Sequence, residues 1–193
     1  SVEYEVARRA WDMLSQDFLF QEKCKAASLP WPVPSWHGAV NESFSVSELH
    51  QPYQVLSVDG SQIYPDKHQG TTCFLLNIGT VILRYGVGPG TTHFSSEPFV
   101  FVEHEFESEA GRAVDIVNGK REEFELEKGV VCAKTVRAEF PKLPLIFLFD
   151  GSLIFWHLEG KDPALKEYFL KKYKASLEAF YKEDLMLAGY ISL

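Results

Sequence analysis

The chain has 193 residues, of which 46% are hydrophobic and 14% aromatic, and its formal net charge is −8 at pH 7. This composition excludes a disordered chain and fits one domain with a full hydrophobic core, or one domain with a small appendage. The negative charge argues against a broadly basic surface that coats nucleic acid. It does not exclude a nuclease, because a metal site needs acidic ligands and phosphate contacts can be few and local.

The sequence contains no membrane signal and no disulfide pattern. No uninterrupted apolar run approaches the length of a membrane span, and no basic segment followed by an apolar one begins the chain, so we predict neither an anchor nor a signal peptide. The three cysteines, Cys24, Cys73 and Cys132, are far apart and form no Cys-x-x-Cys motif. They indicate buried or free thiols in a reducing compartment, and therefore a cytoplasmic protein.

The N-terminal part of the chain has its own pattern. Apolar residues recur every three to four positions over residues 2–27, which predicts one helix. Prolines alternate with other residues within 28–36, and they exclude a helix and favour an extended arm. We therefore predict an N-terminal helix and Pro-rich arm over residues 1–50, and a second domain over residues 51–193.

From residue 51 onward, strand patterns and helix patterns follow one another. Short β-prone runs predict strands, and longer amphipathic runs predict helices. The predicted order is strand 53–59, strand 73–85, strand 98–106, helix 111–139, strand 145–149, helix 163–184 and a last strand over 185–193. Three strands in succession favour an antiparallel meander, and the two helices then act as crossovers that add parallel strands.

Two of these strands run into the same three residues. Asp59-Gly60-Ser61 follows the first apolar run, and Asp150-Gly151-Ser152 follows the fourth. Asp-Gly is a common turn dipeptide, so each motif by itself is open to interpretation as a simple turn. If the two strands are neighbours, however, both carboxylates converge on one edge of the sheet, where a divalent cation would offset their repulsion.

The helix over residues 111–139 brings a third acid. On a helical wheel, its apolar face comprises Val114, Val117, Phe124, Val131 and Cys132. Arg121 and Glu125 fall on or at the edge of that face, so Glu125 is the acid that we expect to face the sheet. Glu123 points the opposite way, and we predict that it and the other acids of this helix are solvated, with Glu123 as the alternative to Glu125 for the helix position of the site.

This order of elements matches the α/β class of ribonuclease H-like folds. Such a fold has a mixed sheet, made of a three-strand meander followed by helix, strand, helix and strand, with helices flanking it. In that arrangement an aspartate on the first strand, a glutamate on the first crossover helix and an aspartate at the end of the fourth strand surround one metal site. Asp59, Glu125 and Asp150 occupy those three places.

Four segments carry a more specific resemblance. They are Val-Asp-Gly-Ser-Gln-Ile-Tyr-Pro-Asp at 58–66, the helix segment 121–125, Phe-Asp-Gly-Ser-Leu at 149–153 and Ala-Gly-Tyr-Ile-Ser at 188–192. Together they resemble the NurA nuclease family, over residues 55–193. The resemblance implies a manganese-dependent 5′-to-3′ nuclease that processes DNA ends for double-strand-break repair. It also implies a homodimer, partnership with the hexameric HerA ATPase in archaea, and a further C-terminal section that supplies a histidine and an acid to the active site.

The chemistry of phosphodiester hydrolysis explains why carboxylates are needed. Charge that develops on the phosphate must be neutralised and water must become nucleophilic near neutral pH, and two divalent cations about 3.5–4 Å apart do both. Carboxylate oxygens suit Mn²⁺ or Mg²⁺, and no Cys/His cluster suggests zinc. We predict that Asp59 bridges two metal ions, that Asp150 binds one, and that Glu125 binds the other or orients the attacking water.

The polar loop after the first strand supplies the predicted substrate contacts. These are Ser61, Gln62, Lys67 and His68. We interpret His104 and His157 as ordinary polar histidines. Tyr190 would lie near the site if the last strand paired beside the first, although core packing explains it equally well.

Two further interpretations stay open. A non-catalytic ribonuclease H-like binding or assembly module would keep the fold without turnover; the acidic charge favours it, and the presence of all three carboxylates opposes it. A ribonuclease H-like enzyme that acts on RNA is the other, because sugar discrimination depends on groove contacts that the sequence does not show. The prediction is therefore a metal-dependent DNA nuclease, exonuclease or endonuclease, that acts on single- and double-stranded ends.

Overall fold

The computed structural model describes residues 2–17, 19–28, 36–38, 42–43, 45, 51–65, 73–88, 92–102 and 113–191. The chain forms two compact units, residues 1–48 and residues 49–193.

The first unit contains two helices where the sequence predicted one over residues 2–27. Helix α1 spans Val2–Ser15 and helix α2 spans Phe20–Ala26. The helix is interrupted between them because the side chain of Asp17 accepts a hydrogen bond from the backbone N–H of Leu19 at 3.0 Å. This bond offers the backbone an alternative to helical hydrogen bonding. The single-helix prediction is therefore wrong. The predicted Pro-rich arm lies mostly outside the described residues.

The second unit is built on a five-stranded sheet. Its strands are β1 (Tyr53–Ile63), β2 (Cys73–Tyr85), β3 (His93–Val102), β4 (Leu145–Asp150) and β5 (Met186–Tyr190). They lie in the order β3-β2-β1-β4-β5. The first three strands are antiparallel, and β4 and β5 run parallel to β1. The predicted α/β, ribonuclease H-like fold class is confirmed.

Two helices make the crossovers and pack against each other. Helix α3 (Ala113–Glu139) joins β3 to β4, and helix α4 (Pro163–Lys182) joins β4 to β5. A short 3₁₀ helix, Trp156–Leu158, precedes α4. The side chain of Asp162 caps α4 by accepting hydrogen bonds from the first-turn N–H groups, as an N-cap aspartate does. Within the described parts of the chain, no helix has the length and apolar character that crossing a bilayer requires.

The core lies between one face of the sheet and the two crossover helices. Alternate strand residues point into it: Leu56, Val58, Phe74, Leu76, Ile78, Phe147 and Phe149. The helices contribute Val117, Leu126, Phe169, Tyr173 and Phe180. Gly129 allows α3 to approach the sheet closely, because a Cβ at this position would lie 2.5 Å from Cζ of Phe147. This glycine therefore serves packing and does not interrupt the helix.

The buried surface of α3 is wider than the predicted stripe. Val114 and Val131 were expected to be buried, but they are 51% and 59% exposed, whereas Ile116, Leu126 and Val130 are buried. The reason is that α3 packs against both the sheet and α4, so two sides of the helix are covered. A wheel with one apolar face does not represent this arrangement.

Candidate active site

The two aspartates lie at the same level on adjacent parallel strands. The pairing of β1 with β4 joins Ser57 to Leu148, and two further residues along both strands place Asp59 opposite Asp150. Their inward-facing neighbours, Val58 and Phe149, are buried in the core, so alternation puts both aspartates on the other face of the sheet. Both side chains are exposed. The sheet therefore presents two carboxylates side by side.

The position of Asp59 within its strand differs from the prediction. Asp150 is the last residue of β4, as expected. Asp59, however, lies inside β1, which continues to Ile63 and stays paired with β2 as far as Leu75. The first Asp-Gly-Ser motif is thus part of a strand and not a turn. The second is a turn: Gly151 has φ +146, and the hydroxyl of Ser152 accepts a hydrogen bond from the N–H of Ile154.

Glu125 reaches the sheet beside Asp59. Its Oε1 accepts hydrogen bonds from the backbone N–H of Gly60 at 2.9 Å and from Nη1 of Arg121 at 2.6 Å, and the residue is only 4% exposed. The absence of a side chain at Gly60 makes this approach possible, because a Cβ there would lie 2.7 Å from Cγ of Arg121 and 2.8 Å from Oε1 of Glu125. Glu125 therefore faces β1, as the helical wheel predicted.

The charge of Glu125 is only partly compensated by its surroundings. Burial raises the pKa of Glu125, Arg121 opposes that rise, and the nearby carboxylate of Asp59 adds to it, with a net result of about 7. A buried carboxylate beside a second carboxylate is costly unless a proton or a cation is present. The electrostatics around Asp59 and Glu125 thus favour the binding of positive charge.

Glu123 does not lie beside Asp59 and Glu125, and the prediction that it is solvated is wrong. It is 2% exposed, and its carboxylate lies 2.8 Å from Nζ of Lys120 and 3.0 Å from Nζ of Lys172. These contacts are with α3 itself and with α4. Glu123 therefore joins the two helices and faces away from β1.

The predicted substrate-binding residues have separate positions. Ser61 is exposed on β1, beyond Asp59. Gln62 donates a hydrogen bond to the hydroxyl of Tyr64 at 2.9 Å, and that hydroxyl donates to Oδ1 of Asn118 on α3 at 2.7 Å. Lys67 and His68 lie outside the described residues, as does His104. Their predicted roles stay predictions.

Two residues near the carboxylates were not anticipated as neighbours. Tyr190 pairs with Asp150 through β5, and its carbonyl accepts a hydrogen bond from the N–H of Gly151 at 2.8 Å. Tyr190 was predicted to lie near the site only if β5 lay beside β1, but β5 lies beside β4. Arg121 was noted on the wheel, and its contact with Glu125 is the i, i+4 pairing that helical spacing allows.

The residues present fit a hard divalent cation by the chemistry of their donors. Asp59, Asp150 and Glu125 all offer carboxylate oxygens. Asp59 raises the pKa of Glu125 because the two carboxylates repel each other, and a cation would offset that repulsion. As the described side chains stand, no three His, Cys, Asp or Glu residues are arranged around a common metal position. Glu125 instead directs Oε1 to Gly60 and Arg121, so ligand contacts would fall to Oε2.

A protein-family model and several solved structures are similar to this chain. A family model described as NurA domain matches residues 53–192. No curated protein matches the chain. Among solved structures, LC11-RNase H1, isolated from compost by a metagenomic approach, is similar at 16% identity and a TM-score of 0.37, over 72% of this chain and 84% of that one.

Two further solved structures are similar at comparable levels. LC11-RNase H1 in complex with an RNA/DNA hybrid has 17% identity and a TM-score of 0.34, over 72% of this chain and 85% of that one. RNase H1 from the halophilic archaeon Halobacterium salinarum NRC-1 has 12% identity and a TM-score of 0.36, with the same 72% and 85% coverage. At these TM-scores the fold assignment rests on strand order and direction.

Proposed function

The chain belongs to the NurA domain family, a nuclease-type family, and on that premise we propose that it is a metal-dependent DNA nuclease that hydrolyses phosphodiester bonds in the 5′-to-3′ direction during DNA end processing. The proposal is carried by the register of β1 with β4, which, continued two residues beyond the Ser57–Leu148 pair, sets Asp59 beside Asp150, and by the hydrogen bond that Glu125 accepts from the N–H of Gly60. Three carboxylates of this kind, contributed by two central strands and a crossover helix, suit phosphate chemistry with a divalent cation.

Each residue has a defined part in the proposed reaction. Asp59, Asp150 and Glu125 would hold Mn²⁺ or Mg²⁺, and the cation, when bound, would neutralise phosphate charge and make water nucleophilic near neutral pH. Arg121 holds Oε1 of Glu125 and so fixes the direction of the other oxygen. Ser61 and Gln62, with Lys67 and His68 of the following loop, would contact the phosphate backbone of the substrate.

The finer points of the proposal rest on the family resemblance. They are a preference for Mn²⁺, action on the ends of single- and double-stranded DNA in double-strand-break repair, assembly as a homodimer and a HerA-like hexameric ATPase as partner. The proposed cytoplasmic location rests instead on the three cysteines, which form no disulfide pattern. The second domain, residues 51–193, would carry the nuclease, and the N-terminal helices and Pro-rich arm over residues 1–50 would be an addition to it.

A second candidate function is a ribonuclease H-like binding or assembly module without turnover. Two observations favour it. The described acids form no three-residue metal cluster, and the net charge of −8 opposes tight contact with a polyanion. Metal binding without cleavage is the property that would separate this candidate from the nuclease.

The test is cleavage of end-labelled linear single- and double-stranded DNA in Mn²⁺, Mg²⁺ or EDTA. We compare the wild-type protein with Asp59→Asn and Asp150→Asn, and we use Asp12→Asn on α1 as a matched control that is exposed and remote in sequence from the carboxylates. The nuclease proposal expects metal-dependent shortening from the 5′ end that both site variants lose and Asp12→Asn keeps. Matched end-labelled RNA serves as the arm for the ribonuclease interpretation.

The outcomes separate the candidates. Absence of cleavage together with Mn²⁺ binding that requires Asp59, measured by calorimetry, would support the binding module. Cleavage that survives in both site variants would overturn the assignment of the site. Cleavage of RNA but not DNA would replace the substrate class and leave the carboxylates in place.

A further inference from the structure

A cleft of about 320 Å³ lies beside the candidate active site. It is formed by the first half of α3, the 3₁₀ helix Trp156–Leu158 and the start of α4. Arg121 lines this cleft, and the same guanidinium contacts Glu125 at 2.6 Å. The cleft therefore begins one side chain away from Glu125.

The floor of the cleft is apolar. Leu158 and Phe169 are 5% and 3% exposed, and Leu165 lies between them at the start of α4. Gly119 gives the floor its shape, because a Cβ at this position would overlap the ring of Phe169. The floor is therefore apolar and closely packed, and the volume of the cleft is near the lower limit of about 300–1,000 Å³ for small-molecule sites.

The rim of the cleft offers donors and acceptors in equal measure. Lys161 lies 2.7 Å from Asp115, and Nε2 of His157 lies 2.8 Å from Oε2 of Glu122. The amide of Asn118 stands on the same wall, turned by the hydrogen bond that its Oδ1 accepts from Tyr64. Each basic side chain thus already faces an acid, so the rim has no surplus of basic groups.

This balance of charge selects one part of a nucleotide over the others. A phosphate requires more donors and cations than acids, as at an Arg or Lys cluster. A nucleobase is neutral, has flat apolar faces, and carries donors and acceptors together along its edge. An apolar floor with a rim of paired charges and an amide matches the base and does not match the phosphate.

We infer that the cleft receives an unstacked nucleobase of the strand whose backbone lies at Asp59, Asp150 and Glu125. The inference rests on the proposed function for the identity of the ligand. The base would lie against Leu165, the half-buried apolar residue of the floor, and its edge would contact Asn118, Asp115 and Lys161. Removing a base from its stack costs free energy, least at a strand end or in a single strand, so the cleft favours those substrates.

The test measures nucleoside binding without metal and without cleavage. The ¹⁵N-labelled protein in EDTA is titrated with deoxyguanosine or deoxycytidine, and with inorganic phosphate as the competing ligand class. We expect saturable shifts of the Asn118 and Lys161 amides with at least one nucleoside, and no displacement of it by phosphate. Absence of saturable shifts with both nucleosides, or displacement by phosphate, would overturn the inference.

Variants localise the binding. Leu165→Trp fills the floor, and Leu170→Trp makes the same change at an exposed position of α4 as a matched control. Leu165→Trp should weaken nucleoside binding at least tenfold, and Leu170→Trp should leave it unchanged. Asp115→Asn, at the rim, tests the cleft independently of the floor, and we expect it to change the ratio of the two nucleoside affinities at least twofold. Equal binding by all four proteins would show that the base is held elsewhere.

The two proposals fail in different ways. Nucleoside binding in EDTA with no cleavage in Mn²⁺ would leave the cleft in place and remove the nuclease assignment. Normal cleavage with no nucleoside binding would remove the cleft and leave the nuclease in place.

Discussion

Glu123 and Glu125 lie two residues apart on α3 and both are buried, but their surroundings differ. Glu123 faces Lys120 and Lys172 at the contact between α3 and α4. Glu125 faces one cation, Arg121, and has the carboxylate of Asp59 nearby at the contact between α3 and β1. Glu123 thus has two cations within 3.0 Å, whereas Glu125 has one cation and a second carboxylate nearby.

The difference separates a structural acid from a functional one. Burial alone would lower the pKa of Lys120, but its hydrogen bonds to Glu123 and Tyr168 outweigh burial and raise it, so Lys120 stays protonated beside Glu123. At Glu125, burial and Asp59 together outweigh Arg121 and raise the pKa to about 7. A buried acid with an unmet need for positive charge is a candidate for ligand binding.

The difference between Glu123 and Glu125 is tested most directly by removing the carboxylate of Glu123. Glu123→Ala should lower the free energy of unfolding by roughly 3–5 kcal/mol, because it leaves Lys120 buried without its acid. Urea denaturation measures this. Glu127→Ala is the matched control on the same helix, since Glu127 is half exposed and contacts Lys172 at 3.5 Å, and its loss should cost about 1 kcal/mol or less. Equal losses in the two variants would show that Glu123 is not a structural link.

The second prediction expects a large loss of activity with little loss of stability when Glu125 is replaced. Glu125→Gln should reduce metal-dependent cleavage by about 100- to 1,000-fold, roughly 3–4 kcal/mol, because it removes a charge needed in the reaction. At acidic pH, where Glu125 carries its proton, stability should change little, since the amide oxygen still accepts from Gly60. The kinetic constants and a urea titration of the same sample measure both. Glu123→Gln is the control; cleavage that falls as far in it as in Glu125→Gln would contradict the distinction between the two acids.

The third prediction concerns pH. The pKa of Glu125 is about 7 in the folded chain and 4.5 for an unperturbed glutamate, so the folded state holds the proton more tightly. Its contribution to stability is complete below about pH 4.5 and is lost as pH rises through 7, a change on the order of 2–3 kcal/mol. The difference in unfolding free energy between wild type and Glu125→Gln, measured from pH 4.5 to 8, isolates this contribution. A difference that does not vary with pH would contradict it.

The smallest effect is expected at Lys172. Its side chain is 40% exposed, so solvent screens its contacts with Glu123 and Glu127, and Lys172→Ala should cost about 1 kcal/mol or less. The neighbouring and exposed Lys171 supplies the control, Lys171→Ala, with an expected change near zero. A loss at Lys172 as large as that of Glu123→Ala would mean that Lys172, and not Lys120, carries the pairing.

The order of elements was predictable from the sequence because it depends on local patterns. The apolar run of β4 and the capped, amphipathic start of α4 each carry their own signal. The end of β1 did not, because Gly60 and Ser61 read as turn residues. In the structure Gly60 is a strand residue whose lack of a side chain is required by α3, a partner that no local pattern reveals.

The site was predictable where one face of a helix decides the outcome. Glu125 faces the sheet as the wheel predicted, but the wheel took no account of α4 and so placed Glu123 in solvent. Tyr190 came to lie beside Asp150 through the pairing of β5 with β4, which is a long-range choice. The roles of Lys67 and His68 stay predictions from the sequence.

The parallel pairing of β1 with β4 also has a consequence for folding kinetics. The meander of β1, β2 and β3 needs only sequence-local contacts, whereas the hydroxyl of Ser57 and the carbonyl of Leu148, which it contacts, are 91 residues apart. Pairings of such high contact order form late, because the chain pays the entropy of loop closure first. In pulse-labelled hydrogen exchange, amides of β2 and β3 should therefore become protected before those of β4. An intermediate trapped between the two stages would contain most of the antiparallel sheet, with Asp59 and Asp150 still apart.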